Sequence, residues 1–222
     1  MPRPRSTLST ADLQAARPDS LRILHYPHPA LRTRALPIPT THNDQQPALH
    51  PIVAEVANRM IHLMQNAPGI GLAAPQVGLP WRLFVAHVPK PKPNTPEAEE
   101  LANDPDAQQL LAQGIQLYTD QPTVYINPTI TAYSKDLQPY EEGCLSLPDI
   151  HGTVRRPSTC TINATNLDAQ PLTQTATGLL ARCWQHELDH LDAILITDKF
   201  SLLDKRKAKR DLQALEHAAE PL

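Results

Sequence analysis

Two histidines four residues apart, with a glutamate between them, stand in Gln185-His186-Glu187-Leu188-Asp189-His190. A helical turn takes about 3.6 residues, so positions i and i+4 lie one above the other and both imidazoles can reach one metal ion. Zinc or ferrous iron held this way takes a third protein ligand and keeps one position for water, whose pKa it lowers enough to supply hydroxide near neutral pH. Glu187, beside the pair, is the candidate base. The competing account is an accidental match in a chain with 10 His. A buried helix with two unliganded imidazoles would then need hydrogen-bond partners for both rings, which makes accident the costlier account.

The third ligand is open on spacing alone. A metzincin site requires Gly three residues and His six residues after the second His, where this chain has Ala193 and Ile196. Glu216 could complete a glutamate-type protease site, but it lies in a basic, Ala-rich stretch with no supporting motif. Cys183 shares the helix, about 10 Å along the axis from His190, too far for its short side chain to join both rings on one ion, and it reads as packed core. Cys144 sits in a separate segment, Glu142-Gly143-Cys144-Leu145-Ser146, whose glycine lets the backbone approach the helix from across a cleft. A lone cysteine of this kind can equally be a small buried hydrophobe. A further segment, Gly69-Ile70-Gly71-Leu72-Ala73-Ala74-Pro75-Gln76, combines glycines, small residues and one amide, and lacks the Lys-Ser/Thr ending of a phosphate cradle.

Taken together, and in this order, Gly-Ile-Gly-Leu-Ala-Ala-Pro-Gln, Glu-Gly-Cys-Leu-Ser and Gln-His-Glu-Leu-Asp-His resemble the three signature motifs of the peptide deformylases. The resemblance spans about residues 21 to 200. It implies an α+β fold with antiparallel β-sheets around a central metal-binding helix, followed by a C-terminal helix. It also implies a reaction, removal of the formyl group from the N-terminal formylmethionine of new proteins. Carried over by position, Cys144, His186 and His190 would bind one divalent ion, with Fe(II) expected in vivo and Zn(II) or Ni(II) as alternatives. Glu187 would be the catalytic acid/base, and Gln76 with the backbone N–H of Leu145 the oxyanion donors. The family layout places Ile70, Gly71, Leu72, Gly143 and Leu179 around the substrate, although each apolar residue among them could be plain core. Glu142 could pair with Arg155 or Arg156 to brace the Cys144 loop, or form an exposed ion pair of little worth.

Two departures from the family pattern stand near the site. Ala193 replaces a usual Gly, which implies a negative φ or slightly looser packing there. His151 stands where many bacterial members carry an Arg that touches the peptide beyond methionine, so altered peptide affinity or pH dependence is expected.

These residues need elements to hold them. Ile52, Val56, Met60, Leu63 and Met64 recur at helical spacing between Pro47 and Asn66, and Ala67-Pro68-Gly69 ends that helix. Trp81 to Val88 reads as a strand, as do Thr123 to Ala132, Leu145 to Leu147, Thr153 to Arg156 and Cys160 to Asn166. A long helix is expected from about Gly178 to Asp192 and a last one from about Ser201 to His217. Residues 1 to 20 read as a poorly packed arm with a short helix from Ser9 or Thr10 through Ala16. Residues 89 to 120 form an insertion, stiff from Pro89 to Pro96 and helical from Pro96 to Gln113 with a break near Pro105; it could cover the site, mediate association, or sit on the surface.

At 222 residues, 41% hydrophobic and 19% charged, the chain can bury the core of one large domain covering 21–200, with 201–222 as an appended helix. A net charge of −3 provides no global basic field, but Lys205, Arg206, Lys207, Lys209 and Arg210 make the last helix locally basic. That face could dock on ribosomal RNA, or simply be solvated. No apolar run is long enough to span a bilayer, the amino terminus lacks the apolar core of a signal peptide, and three widely spaced cysteines suggest no disulfide framework. The cytoplasm is the expected location. Two rival readings remain: a metal peptidase cutting internal bonds, which lacks a matching third-ligand motif, and a silent relative that binds nascent chains or RNA, which the intact ligand set with Glu187 disfavours.

Overall fold

A helix that buries imidazoles needs a wall on either side, and here one wall is a six-stranded sheet and the other a long two-stranded hairpin. The computed structural model describes residues 7–43 and 46–219. Helix α1 (Thr10–Gln14) and a small antiparallel pair, β1 (Thr41–Asn43) with β2 (Gln46–Ala48), precede α2 (Ile52–Asn66). Strands β3 (Gly71–Ala73) and β4 (Leu83–Ala86) follow. The segment expected as an insertion holds α3 (Pro96–Asn103), α4 (Pro105–Ala112) and β5 (Ile115–Gln116). Then come β6 (Thr123–Tyr133), β7 (Leu137–Cys144), β8 (Leu147–Pro157), β9 (Thr159–Thr165) and β10 (Pro171–Thr177). The chain ends in α5 (Gly178–Leu191), α6 (Ile196–Lys199) and α7 (Leu202–Ala218).

The large sheet has the order β3-β4-β6-β9-β10-β5, and every pairing is antiparallel except that of β5 with β10. Hairpin β7–β8 stands apart from it. Helix α5 lies between them. Its inner face presses Leu180, Ala181 and Trp184 into the sheet, where Tyr125 meets Trp184 edge-on at 5.6 Å and stacks on Phe84 at 4.7 Å. Helix α2 covers a second part of the sheet with Val53, Val56, Met60 and Met64, all essentially inaccessible to solvent. Helix α7 packs on β8, and its Ala208, Leu212 and Leu215 share a cluster with Ile150 and Val154 of β8 and with Phe200, which follows α6.

Several expected boundaries shift for identifiable reasons. The helix expected from Pro47 begins at Ile52, because Gln46–Ala48 pairs with β1. Leu145 is not in a strand: Leu145 and Ser146 form the turn joining β7 to β8. Strands β7 and β10 were not expected. β7 contains Pro139 and Gly143, tolerable because among the described residues no strand but β8 pairs with it. β10 is polar, but its threonines pair across the strands, Thr161 with Thr175 at 2.8 Å and Thr159 with Thr177 at 3.1 Å. The amino-terminal segment is not poorly packed where it is described, since Leu8, Leu13 and Ala16 are buried beside α2. Residues 1–6 of the expected arm, and 220–222 of the last helix, lie outside the described residues.

Ala193 does not have the negative φ inferred for it. It sits at φ +63 just past the end of α5, where the Ile194 N–H donates to Asp189 O at 2.9 Å and the Ala193 N–H to His190 O at 3.2 Å. This is the left-handed closure that glycine usually supplies. An alanine there carries a steric penalty, so Ala193→Gly should stabilise the fold by about 1 kcal/mol. Urea unfolding will show a raised midpoint; an unchanged or lowered one would mean residue 193 is not left-handed.

Candidate metal centre and cleft

Helix α5 begins at the end of β10 and carries its polar face toward the hairpin. His186 and His190 project from that face one turn apart, their ring centroids 5.0 Å from each other. Cys144 arrives from the end of β7. A bulge between Glu142 and Cys144 breaks the regular register at Gly143 and turns the thiol toward the helix. Cys144 Sγ lies 3.2 Å from His190 Nε2, and the donor atoms of Cys144, His186 and His190 fall within 4.8 Å of one another. Cys183 is outside this group. It is buried, its Sγ lies 3.4 Å from Ile70 O, and burial pushes its thiol well above the ordinary value, which keeps it protonated and inert.

The donor set fits a divalent ion. A thiol sulfur and two imidazole nitrogens, drawn from two elements, converge at a buried point, which is the chemistry of a three-ligand site with an open position. The His186 Nδ1–H donates to Glu142 Oε2 at 3.2 Å, which leaves Nε2 as the ring nitrogen available to an ion. Burial pushes the His190 imidazole well below its ordinary value and keeps it a neutral donor. Burial alone would lower His186, but the Cys144 and Glu142 contacts push it up to about 10, so without an ion a proton holds the nitrogen that an ion would take. At the site itself, the buried atoms Glu187 Oε2 and His190 Nδ1 have no hydrogen-bond partner among the described residues.

Glu142 anchors the constellation. Its carboxylate takes Arg156 Nε at 2.7 Å and Arg156 NH2 at 2.8 Å in a fork, and Arg182 NH1 at 2.7 Å. Of the two arginines considered from sequence, Arg156 is the partner. The pair is buried rather than exposed, with side-chain exposures of 2% and 5%. Burial alone would raise the Glu142 carboxyl, but the Arg156 and His186 hydrogen bonds outweigh it and hold it well below the usual carboxylate range.

Glu187 is 4% exposed, and burial pushes its carboxyl up to about 7 against the opposing pull of His186 and Arg156. It packs on the backbone of β3 so closely that a Cβ on Gly71 would lie 2.3 Å from Glu187 Oε1. Gln76 is held by its own loop. Its Oε1 accepts the Ala73 N–H at 2.8 Å, which turns Nε2 toward Ser146 Oγ at 3.2 Å and Cys144 Sγ at 3.5 Å.

A cleft of about 740 Å³ opens over the cluster, and Ile70, Gly71, Gln76, Gly143, Leu145 and Leu179 are in its wall, with Glu187 and His186 at its base. Leu72 is not in that wall. Strand alternation turns its side chain away from Gly71 into the core beneath α2, where it is fully buried. His151 is on the wall, its ring against Gly143. Tyr140 and Arg182 also face the cleft and were not singled out from sequence. The signal was present: Arg182 stands one turn before His186 on the same helix face, and Tyr140 two residues before Glu142 on the same strand face.

Comparison with known proteins agrees with this geometry. The polypeptide deformylase family model matches residues 20–206. A peptide deformylase of Erythrobacter litoralis is 37% identical over 198 residues, covering 89% of this chain and 97% of its own. One from Salinibacter ruber is 38% identical over 195 residues, with 88% of each chain covered. Among solved structures, the peptide deformylase of Ehrlichia chaffeensis superimposes with a TM-score of 0.70 at 25% identity, covering 89% of this chain and 97% of its own. An inhibitor complex of Arabidopsis thaliana peptide deformylase 1B gives 0.68 at 29% identity over 89% and 91%. The family model and these relatives agree with the sequence motifs and the fold, and the chain belongs to the peptide deformylase family.

Proposed function

We propose that Cys144, His186 and His190 hold one divalent ion in this chain, that Glu187 moves the proton of the deformylation step, and that Gln76 with the Leu145 N–H receives the developing oxyanion. The family's reaction removes the formyl group from the N-terminal formylmethionine of nascent proteins. The observation that carries the residue assignment is the approach of Cys144 Sγ and two imidazoles to within 4.8 Å, with Glu187 buried beside them. An ion there, Fe(II) in vivo with Zn(II) or Ni(II) as substitutes, supplies Lewis-acid polarisation and a water acidic near neutral pH. A carboxyl raised to about 7 is matched to both halves of the proton transfer. Glu187 takes a proton from water and hands it to the departing amine nitrogen, which cannot leave as an anion.

Gln76 serves as an oxyanion donor because its amide is oriented before substrate arrives, by the Ala73 N–H on its oxygen. Ile70 and Leu179 provide apolar wall for a methionine side chain, and Gly71 and Gly143 allow close approach of the substrate backbone. Leu72 supports this wall from behind without touching substrate.

Turnover of formyl-Met peptides after anaerobic purification and metal analysis tests the reading, with unformylated peptides as controls. Glu187→Gln should lower kcat by at least about a hundredfold with metal content retained. Gly71→Ala should displace the Glu187 carboxylate and cost about a hundredfold, also with metal retained. Full activity in Glu187→Gln, or cleavage of internal bonds, would sink the assignment.

The same reading places the chain in the cytoplasm, where nascent chains emerge; no helix among the described residues is long and apolar enough to cross a membrane. It includes docking of α7 on the ribosome, supported by the exposure of Lys205, Arg206, Lys207, Lys209 and Arg210 along that helix. Ribosome co-sedimentation should fall steeply between low and moderate salt, and alanine at Lys205, Arg206 and Lys209 should abolish it. Binding unchanged by those three substitutions would remove α7 as the docking element.

A further inference from the structure

Arg182 belongs to no signature motif, yet its side chain ties the helix carrying two candidate ligands to the hairpin carrying the third. Its NH1 donates to Glu142 Oε1 at 2.7 Å and to Val154 O at 3.2 Å, and its NH2 donates to Gln138 O at 2.7 Å. Gln138 and Glu142 are on β7 and Val154 is on β8, so one guanidinium from α5 grips both strands of the hairpin. The Tyr140 ring covers it from the cleft side, 5.2 Å from centroid to guanidinium carbon. Only 8% of the residue is exposed.

The consequence falls on Glu142. Arg156 serves two carboxylates at once, Glu142 through its fork and Asp189 through NH1 at 2.7 Å. Arg182 contacts no carboxylate except Glu142 among the described residues. It is therefore the cation that holds Oε1 from the helix side and leaves Oε2 facing His186 Nδ1. Cys144 follows two residues after Glu142 on the same strand, so the grip on Glu142 also sets how far the thiol stands from the imidazoles.

We infer that Arg182 is a positioning residue of the metal centre: by fixing Glu142 and both hairpin strands to α5, it sets the spacing of Cys144 from His186 and His190 and the orientation of the His186 ring. The inference rests on the proposed ligand set. Groups that orient a metal-bound histidine through its second nitrogen typically change metal affinity by about 10–100-fold when removed. A lysine retains the charge but cannot satisfy three acceptors held in a fixed fork.

The test uses zinc and cobalt binding rather than turnover. Chelator competition on Arg182→Gln should show a zinc dissociation constant raised by about tenfold or more. The thiolate-to-cobalt absorption band of the Co(II) form should shift or weaken. Arg182→Lys should fall between Gln and the parent, and decides the question if the Gln variant does not fold. Trp184→Phe loosens the opposite face of the same helix and should leave both readouts unchanged. Zinc affinity within twofold of the parent and an unaltered cobalt band in the arginine variants would overturn the inference. So would an equal loss in Trp184→Phe, which would assign the effect to general helix stability. If Cys144→Ser and His190→Ala bind zinc as the parent does, the ligand set itself is wrong, which is a separate failure.

Discussion

One carboxylate holds the site together. Glu142 is buried, and a buried carboxylate without partners is costly enough that the surrounding structure must supply them. It receives two guanidinium groups and an imidazole, one from β8 and two from α5. An ion pair of this kind does little for net stability, since desolvation offsets most of the attraction. Its contribution is geometric: the hairpin and the helix are locked in one register. The lock sits two residues from Cys144 and on the ring of His186. Asp189, on the same helix, extends it by bridging Arg156 at 2.7 Å to Lys199 at 2.8 Å, so the end of α6 is tied to the same network.

The helix meets opposite demands on its two faces. Toward the sheet it must be large and apolar, and Trp184 and Leu180 fill the space beside Tyr125 and Phe84. Toward the cleft it is polar yet dry: Glu187 is buried against β3, and that burial pushes its carboxyl up to about 7. Gly71 makes this dryness attainable. Without a side chain, β3 lies close against Glu187, and the sheet edge itself becomes the wall of the site.

What was legible in the sequence follows from the range of the forces involved. His186, Glu187 and His190 are one helical turn, so local periodicity alone relates them. Their helix was readable to within a residue of its end, because both its apolar and its polar face repeat at the same period. The approach of Cys144 was readable only through resemblance, since nothing local places a cysteine of β7 against α5. Strand β10 was hidden because its stabilisation is a ladder of threonine contacts with β9, invisible until the partner strand is known. Leu72 was misplaced because a three-residue strand gives too little alternation to tell which face its middle residue takes. Arg182 was missed because a charged residue on a helix usually means solvent, whereas here the solvent side is occupied by a hairpin that only the fold supplies.

The segment 89–120 illustrates the same division between local and distant causes. Its helices were legible because Asp104 caps α4 locally, accepting the Asp106 and Ala107 N–H groups at 2.9 and 3.1 Å, and Pro105 follows at the first helical position. Its purpose in the fold was not, because that depends on β10. The two residues of β5 pair in parallel with Thr175 and Ala176 of β10, on the side not taken by β9. A free strand edge invites pairing with another chain, and a short strand followed by loop blunts it. None of the residues lining the cleft comes from 89–120. The segment therefore closes the far end of the sheet rather than covering the site, and the strand it protects is the one whose last residue leads into the helix bearing His186 and His190.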